Sequence, residues 1–237
     1  MQLRYLGHSG IALEIDSSAS GTDAATSYKG QVLIDPFLTG NPVANLNESD
    51  LAPSHIIVTH AHGDHYGDTE AIATRTNATL ISTFEIVNYA ANKGVNGHGM
   101  NIGGGHSFGF GRVTFTPAWH SSAFPDGTYG GMPMGVVIES RAKTLYHAGD
   151  TALFSDMRLI GETWSLDVAL LPIGDNFTMG PSAALKAVTL LSPKVVIPIH
   201  YNTFDLIAQD AEAFRAQVER ETDTRCIVLE PGQHYTL

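Results

Sequence analysis

Cysteine is almost missing: Cys226 is the single one in 237 residues, so no internal disulfide can form. Its setting, Arg225-Cys226-Ile227-Val228-Leu229, reads as a buried strand that closes the fold, and one such thiol fits a cytoplasmic protein. Long apolar runs are absent too. None approaches the ~18 residues of a membrane-crossing helix, which argues against membrane insertion. Met1-Gln2-Leu3-Arg4-Tyr5 lacks the basic stretch and apolar core of a secretory signal. Positive charge is scarce: 13 Lys plus Arg against 24 Asp plus Glu leave a formal charge of −11. That balance opposes nucleic-acid binding, which needs a basic face. Linker-like composition and charge runs are also missing, so residues 1–237 read as one domain, which leaves a homo-oligomer open. Histidine is what the chain has in excess, with 11 residues, and that points towards metal.

The histidines concentrate in Ile56-Ile57-Val58-Thr59-His60-Ala61-His62-Gly63-Asp64-His65. The apolar opening reads as a buried strand. His60 and His62 sit two apart, so an extended chain puts both rings on one side. Gly63 permits a sharp turn, after which Asp64 and His65 would start a helix running to about Thr76. Four ligand-type side chains crowded into one corner are better explained by a cation than by an ordinary polar loop. They could cradle one ion, or two adjacent ones.

In chain order, Leu3–Leu6 and Ile11–Ile15 read as a hairpin joined by Gly7-His8-Ser9-Gly10. Residues 16–30 form a Ser-, Ala- and Gly-rich connection with no assignable chemistry. Gln31–Ile34 is a strand ended by Asp35-Pro36, and the proline should hold Asp35 extended. Ala78–Ser82 is a strand and Phe84–Lys93 an amphipathic helix stopped by Gly94. Residues 94–111 read as a Gly-dense loop carrying His98 and His106. Val113–Trp119 delivers His120; Thr144–Ala148, paired with Gly135–Glu139, delivers Asp150; Val195–Ile199 delivers His200. Val168–Ile173 leads into Gly174-Asp175-Asn176-Phe177-Thr178-Met179-Gly180, and Pro181 starts a helix. Asp205–Glu221 reads as a further helix. Paired strands in each half, with helices after the ligand-bearing strands, fit a mixed α/β fold: two sheets face to face with helices outside, a four-layer αββα sandwich.

Ligand-type residues thus end separate apolar strands in the order Asp35, His60-x-His62-x-Asp64-His65, His120, Asp150, His200. This order resembles the five-motif pattern of the metallo-β-lactamase fold superfamily over nearly the whole chain. The resemblance implies that His60, His62 and His120 bind one metal and Asp64, His65 and His200 a second, with Asp150 bridging. Asp35 would accept a hydrogen bond from a metal histidine. Class B β-lactamases lack the bridging Asp and use a Cys, so a β-lactamase reading is weak. Flavo-diiron proteins of this fold resemble His-x-Glu-x-Asp-His, whereas here that position is His62. Nitrogen-rich ligation suits two zinc ions, with manganese, iron or nickel as alternatives.

Tyr5-Leu6-Gly7-His8-Ser9, Gly97-His98-Gly99-Met100-Asn101, the Gly174–Gly180 stretch and Pro198-Ile199-His200-Tyr201-Asn202-Thr203-Phe204 resemble the uncharacterised metal-dependent hydrolases related to ascorbate-6-phosphate lactonases. That resemblance makes His8, His98, Asp175, Asn176, Thr178 and Asn202 substrate-pocket candidates. It implies a hydrolase that uses a dinuclear-metal hydroxide on an ester, lactone or phosphodiester of a small molecule, with Asp64, Asp150 and His200 as catalytic residues. Two other classes compete: a metal-binding or sensing domain without turnover, and a nuclease of the same fold. Seven ligands around two ions leave open positions, which favours catalysis over a closed structural site. The charge disfavours the nuclease.

Overall fold

Apolar β-branched runs recur in both halves of the chain. In the computed structural model, which describes residues 1–16 and 28–237, they build two seven-stranded sheets. The first sheet takes β1 (Gln2–Gly7), β2 (Gly10–Asp16), β3 (Lys29–Ile34), β4 (His55–Ile57), β5 (Thr79–Thr83) and β6 (Gly97–Met100). The second takes β7 (Gly105–Phe108), β8 (Gly111–Pro117), β9 (Met134–Ser140), β10 (Lys143–His147), β11 (Val168–Pro172), β12 (Val195–Ile199) and β13 (Arg225–Cys226). The last strand, β14 (His234–Thr236), returns to the first sheet and pairs antiparallel with β1, Leu3 opposite Tyr235. Each sheet begins as an antiparallel meander and continues as parallel strands: β3 to β6 in one, β10 to β13 in the other.

Alternation along the strands divides the apolar side chains between layers. Ile57 and Ile81 of the first sheet meet Val136, Leu145, Val168 and Leu170 of the second in the central core. Their sequence neighbours Ile56, Val58 and Leu80 face outward and are covered by α2 (Thr69–Thr76) and α3 (Phe84–Ala91). On the other side Ala169, Leu171 and Val196 are covered by α4 (Met157–Thr163), α5 (Pro181–Leu191) and α6 (Ala211–Glu221). This is the αββα sandwich. Its parallel strands bring their carboxyl ends, with Asp35, His60, Asp150 and His200 just beyond them, to one edge, where open α/β sheets place their ligands.

Several sequence expectations change. The helix from His65 to Thr76 is two pieces, α1 (Gly63–Tyr66) and α2, because Gly67 turns to φ 43°. A Cβ there would lie 2.5 Å from the Pro36 carbonyl, and the Asp68 carboxylate accepts from the Leu38 and Thr39 amides. The break therefore seats the start of the helix on the loop behind Asp35. Asp35 is not extended: its φ is 47°, a left-handed conformation that Asp tolerates better than most residues. The Gly-dense segment 94–111 holds two strands, β6 and β7, rather than a loop. The helix expected over Asp205–Glu221 starts only at Ala211, capped by the Asp210 side chain; before it Asn202 Oδ1 accepts from the Gln209 amide and fixes a separate turn. Arg225–Leu229 yields only the short β13, and β14 closes the fold instead. The 16–30 connection falls mostly on residues 17–27, outside the described residues.

Candidate metal centre

The ligand-type residues gather at the edge where the two sheets' strand ends meet. Among the described residues their donor atoms form three overlapping sets, each within 4.8 Å: His60, His62 and His120; His8, Asp64, His65 and His200; and His60, His65 and Asp150. Asp150 is the junction. Its Oδ1 lies 3.3 Å from His65 Nε2, and its Oδ2 lies 3.0 Å from His200 Nε2, 3.5 Å from His120 Nε2 and 4.0 Å from His60 Nε2. Gly149 makes this approach possible: its φ is 62°, and a Cβ would sit 2.6 Å from the Met134 carbonyl.

Hydrogen bonds fix the ring nitrogens that face inward. A carboxylate can only accept, so His65 Nδ1 donates to Asp35 Oδ2 at 2.8 Å, leaving Nε2 to face Asp150. The same Asp35 oxygen accepts from Thr59 Oγ1 at 2.7 Å, so the hydroxyl oxygen is free to accept from His60 Nδ1 at 3.0 Å. One carboxylate thus sets the tautomer of a histidine in each set, which its left-handed backbone and the Thr59 amide bond to Oδ1 hold in place. His8 acts likewise on Asp64. Its Nε2 donates to Asp64 Oδ2 at 3.1 Å while its Nδ1 accepts from the Thr203 hydroxyl at 2.8 Å. The His8 carbonyl accepts from the His200 amide at 2.7 Å. His8 and His200 both take positive φ, 56° and 55°, at about 1–3 kcal/mol each for a non-glycine residue.

Burial and charge polarise the cluster. Burial holds the His60 ring well below the usual imidazole range, and the neighbouring His65 adds to this. Burial likewise lowers His8 to about 4, against the opposing pull of Asp64, so His8 is a neutral donor. Burial lowers His62 and His120 as well. For Asp150 burial acts upward, but His200 and His65 outweigh it and hold the carboxyl well below its usual range. Asp64 is also held low: burial is overcome by the His8 hydrogen bond and by His65. In His65 burial is overcome by Asp150 and Asp35, which raise it well above the ordinary value.

The donor set fits divalent metal. His65 Nε2 and Asp150 Oδ1 are buried, face each other, and have no hydrogen-bond partner, a state that buried polar atoms rarely keep without an ion. Histidine nitrogens with carboxylate oxygens and no thiolate suit zinc or a harder first-row ion. The set opens into a cavity of about 260 Å³ lined by His62, Asp64, His120, Ser121, Asp150, Phe177 and His200.

The other sequence candidates fall differently. His98 packs on His106 and Phe108, and Phe108 contacts His55 at the opposite end of β4, so His98 is not brought to the cluster. Asp175, Asn176 and Thr178 shape the turn that carries Phe177. Asn202 braces its own loop through Gln209. Sequence reasoning overlooked Phe177, Ser121, Thr59, Thr203 and His147. His147, buried in β10, accepts from the Gly149 amide and donates to the Ser9 carbonyl, tying the Asp150 turn to the turn at His8. Its signal was a histidine inside an apolar strand two residues before a Gly-Asp turn.

Comparisons with known proteins agree with this geometry. A model of the beta-lactamase superfamily domain matches residues 23–201. A UPF0173 metal-dependent hydrolase of Thermus thermophilus is 55% identical over 98% of this chain and 97% of its own length. Another from Exiguobacterium is 50% identical over 98% of each chain. Among solved structures, Igni18, a metallo hydrolase of the archaeon Ignicoccus hospitalis, superposes with a TM-score of 0.87 at 38% identity, covering 100% of this chain and 98% of its own. Full-length identity at this level, on a fold whose strand ends converge on a histidine and carboxylate cluster, makes this chain a member of the beta-lactamase superfamily and, within it, of the UPF0173 metal-dependent hydrolases.

Proposed function

We propose that the protein hydrolyses an ester, lactone or phosphodiester of a small molecule at a centre for two divalent ions. His60, His62 and His120 would hold one ion and Asp64, His65 and His200 the other, with Asp150 shared and zinc the metal that suits the set. The observation that carries this reading is the position of Asp150, one buried carboxylate aimed at imidazole nitrogens of both sets, its Oδ1 facing His65 Nε2 at 3.3 Å without a hydrogen bond. Bound there, divalent metal supplies Lewis-acid polarisation of the electrophilic oxygen and a lowered pKa for water.

The chain's own residues supply the rest. Asp35 and Thr59 keep His65 and His60 in the tautomers that present Nε2 inward. Asp64 lines the cavity with its side chain 33% exposed, and its Oδ2 is held by neutral His8. In this reading Asp64 takes a proton from attacking water and returns it to the departing oxygen. The cavity of about 260 Å³ suits a small molecule, and the charge of −11 argues against nucleic acid as substrate. No helix among the described residues is long and apolar enough to cross a membrane, and the one cysteine is free and buried, in keeping with a cytoplasmic setting.

Elemental analysis of gently purified protein, paired with a panel of esters, lactones and phosphodiesters, tests the proposal. Two ions per chain with turnover are expected. A single ion with Asp64 and His65 unligated, or a fully loaded protein inert on the whole panel, would overturn it.

A further inference from the structure

Exposed aromatic side chains lie at the cavity or beside residues of its site. Phe177, which lines it, is 53% exposed; Trp119, next to His120, is 65% exposed; Phe204, whose ring meets His8 edge-on at 5.8 Å, is 43% exposed. Of the three, Phe177 is the one among the cavity's lining residues; Trp119 adjoins the lining residue His120 in the chain, and Phe204 packs on His8, which holds the lining Asp64. Two of them are held rigidly. The Trp119 amide donates to Thr151 Oγ1, and its carbonyl accepts from the Ala152 amide. Phe177 follows two left-handed residues, Asp175 (φ 60°) and Asn176 (φ 43°), in a turn closed by Asp175 and Met179. The Met179 amide donates in turn to the Thr151 carbonyl. Both aromatic segments are thus tied to the residue after Asp150, so their placement is set by the same turn that sets the metal junction.

The charge of the cavity points the same way. None of its lining residues is Lys or Arg, and residues 17–27, outside the described set, contain neither. Sites for anionic phosphate esters recruit Arg or Lys to oxygens that the metals leave uncovered. This one offers aromatic faces, a serine and carboxylates.

We infer that the substrate is an uncharged carboxylic ester or lactone whose acyl portion is apolar and lies on the collar formed by Phe177, Trp119 and Phe204. The inference rests on the hydrolase reading and narrows it, setting phosphodiesters aside. Water's oxygen bonds the acyl carbon, the bond from that carbon to the ester oxygen breaks with its electron pair, and one proton of water ends on that oxygen. Nothing is oxidised or reduced. The collar supplies binding energy to the acyl chain and takes no part in the bond changes.

Two measurements test it, one without turnover. Zinc-loaded protein is assayed on para-nitrophenyl acetate, butyrate and octanoate, and on bis-(para-nitrophenyl) phosphate. The kcat/KM should rise by about 10-fold or more from acetate to octanoate, and any ester should exceed the diester. Phe177→Ala should remove most of that rise, with the loss appearing in KM rather than in kcat for octanoate. Separately, in Trp164→Phe protein Trp119 is the one tryptophan left, so its fluorescence reports binding of methyl heptyl ketone, which has no hydrolysable bond. Ketone binding should weaken about 10-fold on Phe177→Ala at unchanged metal content. A faster diester, a flat chain-length series, or ketone binding indifferent to Phe177 overturns the inference. So does a collar variant whose sole effect is to change oligomeric state, since a second copy would then be its occupant. Absence of all ester and diester turnover would defeat the hydrolase reading, while the ketone titration still decides whether the collar binds an apolar chain.

Discussion

The two ligand sets that meet at Asp150 are built from the same residue type but held differently. In the set of His8, Asp64, His65 and His200 every histidine is buried, and each is tied from behind: His65 by Asp35, His8 by Thr203, Asp64 by His8, and His200 through its amide to the His8 carbonyl. In the set of His60, His62 and His120, His60 is the buried one and is tied from behind through Thr59. His62 and His120 border the cavity; His62 Nδ1 lies 3.0 Å from His60 Nε2, inside the set, and its Nε2 lies 3.4 Å from Ser121 Oγ. One set is preorganised by partners that point away from substrate, at the expense of two strained backbones. The other is set by strand ends and stays open to the cavity. The difference teaches that preorganisation and access are divided between the two sets of side chains rather than balanced within each.

The largest effect should come from removing what joins them. Asp150→Ala should lower turnover at least about a thousand-fold, yet leave the three-histidine set able to hold a metal, because those rings do not need the carboxylate. Metal content and turnover on one preparation decide this, and near-wild-type turnover would end the two-metal reading. Asp35→Asn comes next and blurs the comparison, since Asp35 reaches both sets. Metal affinity should fall about 10–100-fold while the circular dichroism spectrum is kept. Unchanged affinity would reduce Asp35 to a turn former. Thr203→Val sharpens the contrast: it strips the donor from His8 Nδ1 and should weaken one metal about 10-fold, with the second equivalent unaffected in a chelator competition. Equal weakening of both would mean that the sets are not independent. Smallest is Ser121→Ala on the open side, where a 3.4 Å contact is lost and affinity should change by about 2-fold or less.

Most of the candidate metal centre is legible in the chain because its information is local. His60, His62, Asp64 and His65 fall within six residues, and His120, Asp150 and His200 each follow an apolar strand. Helix ends were less legible. Gly67 looks like an ordinary helix residue until the Pro36 carbonyl lies against it, and Asp205 looks like a helix start until Asn202 claims the turn. The strands at 97–100 and 105–108 were hidden because glycine carries no side-chain pattern, and pairing with β5 and β8 forms them.

By itself the sequence determined which side chains could bind metal, the order in which strands deliver them and the layered fold they belong to, since periodicity and spacing are properties of single segments. Tertiary structure alone decided that His8 reaches Asp64, that Asp35 serves both His60 and His65, and that Phe177 stands at the mouth with Asp175 and Asn176 behind it. Those relations join residues from different sheets and loops, and their distances exist only once the two sheets have packed.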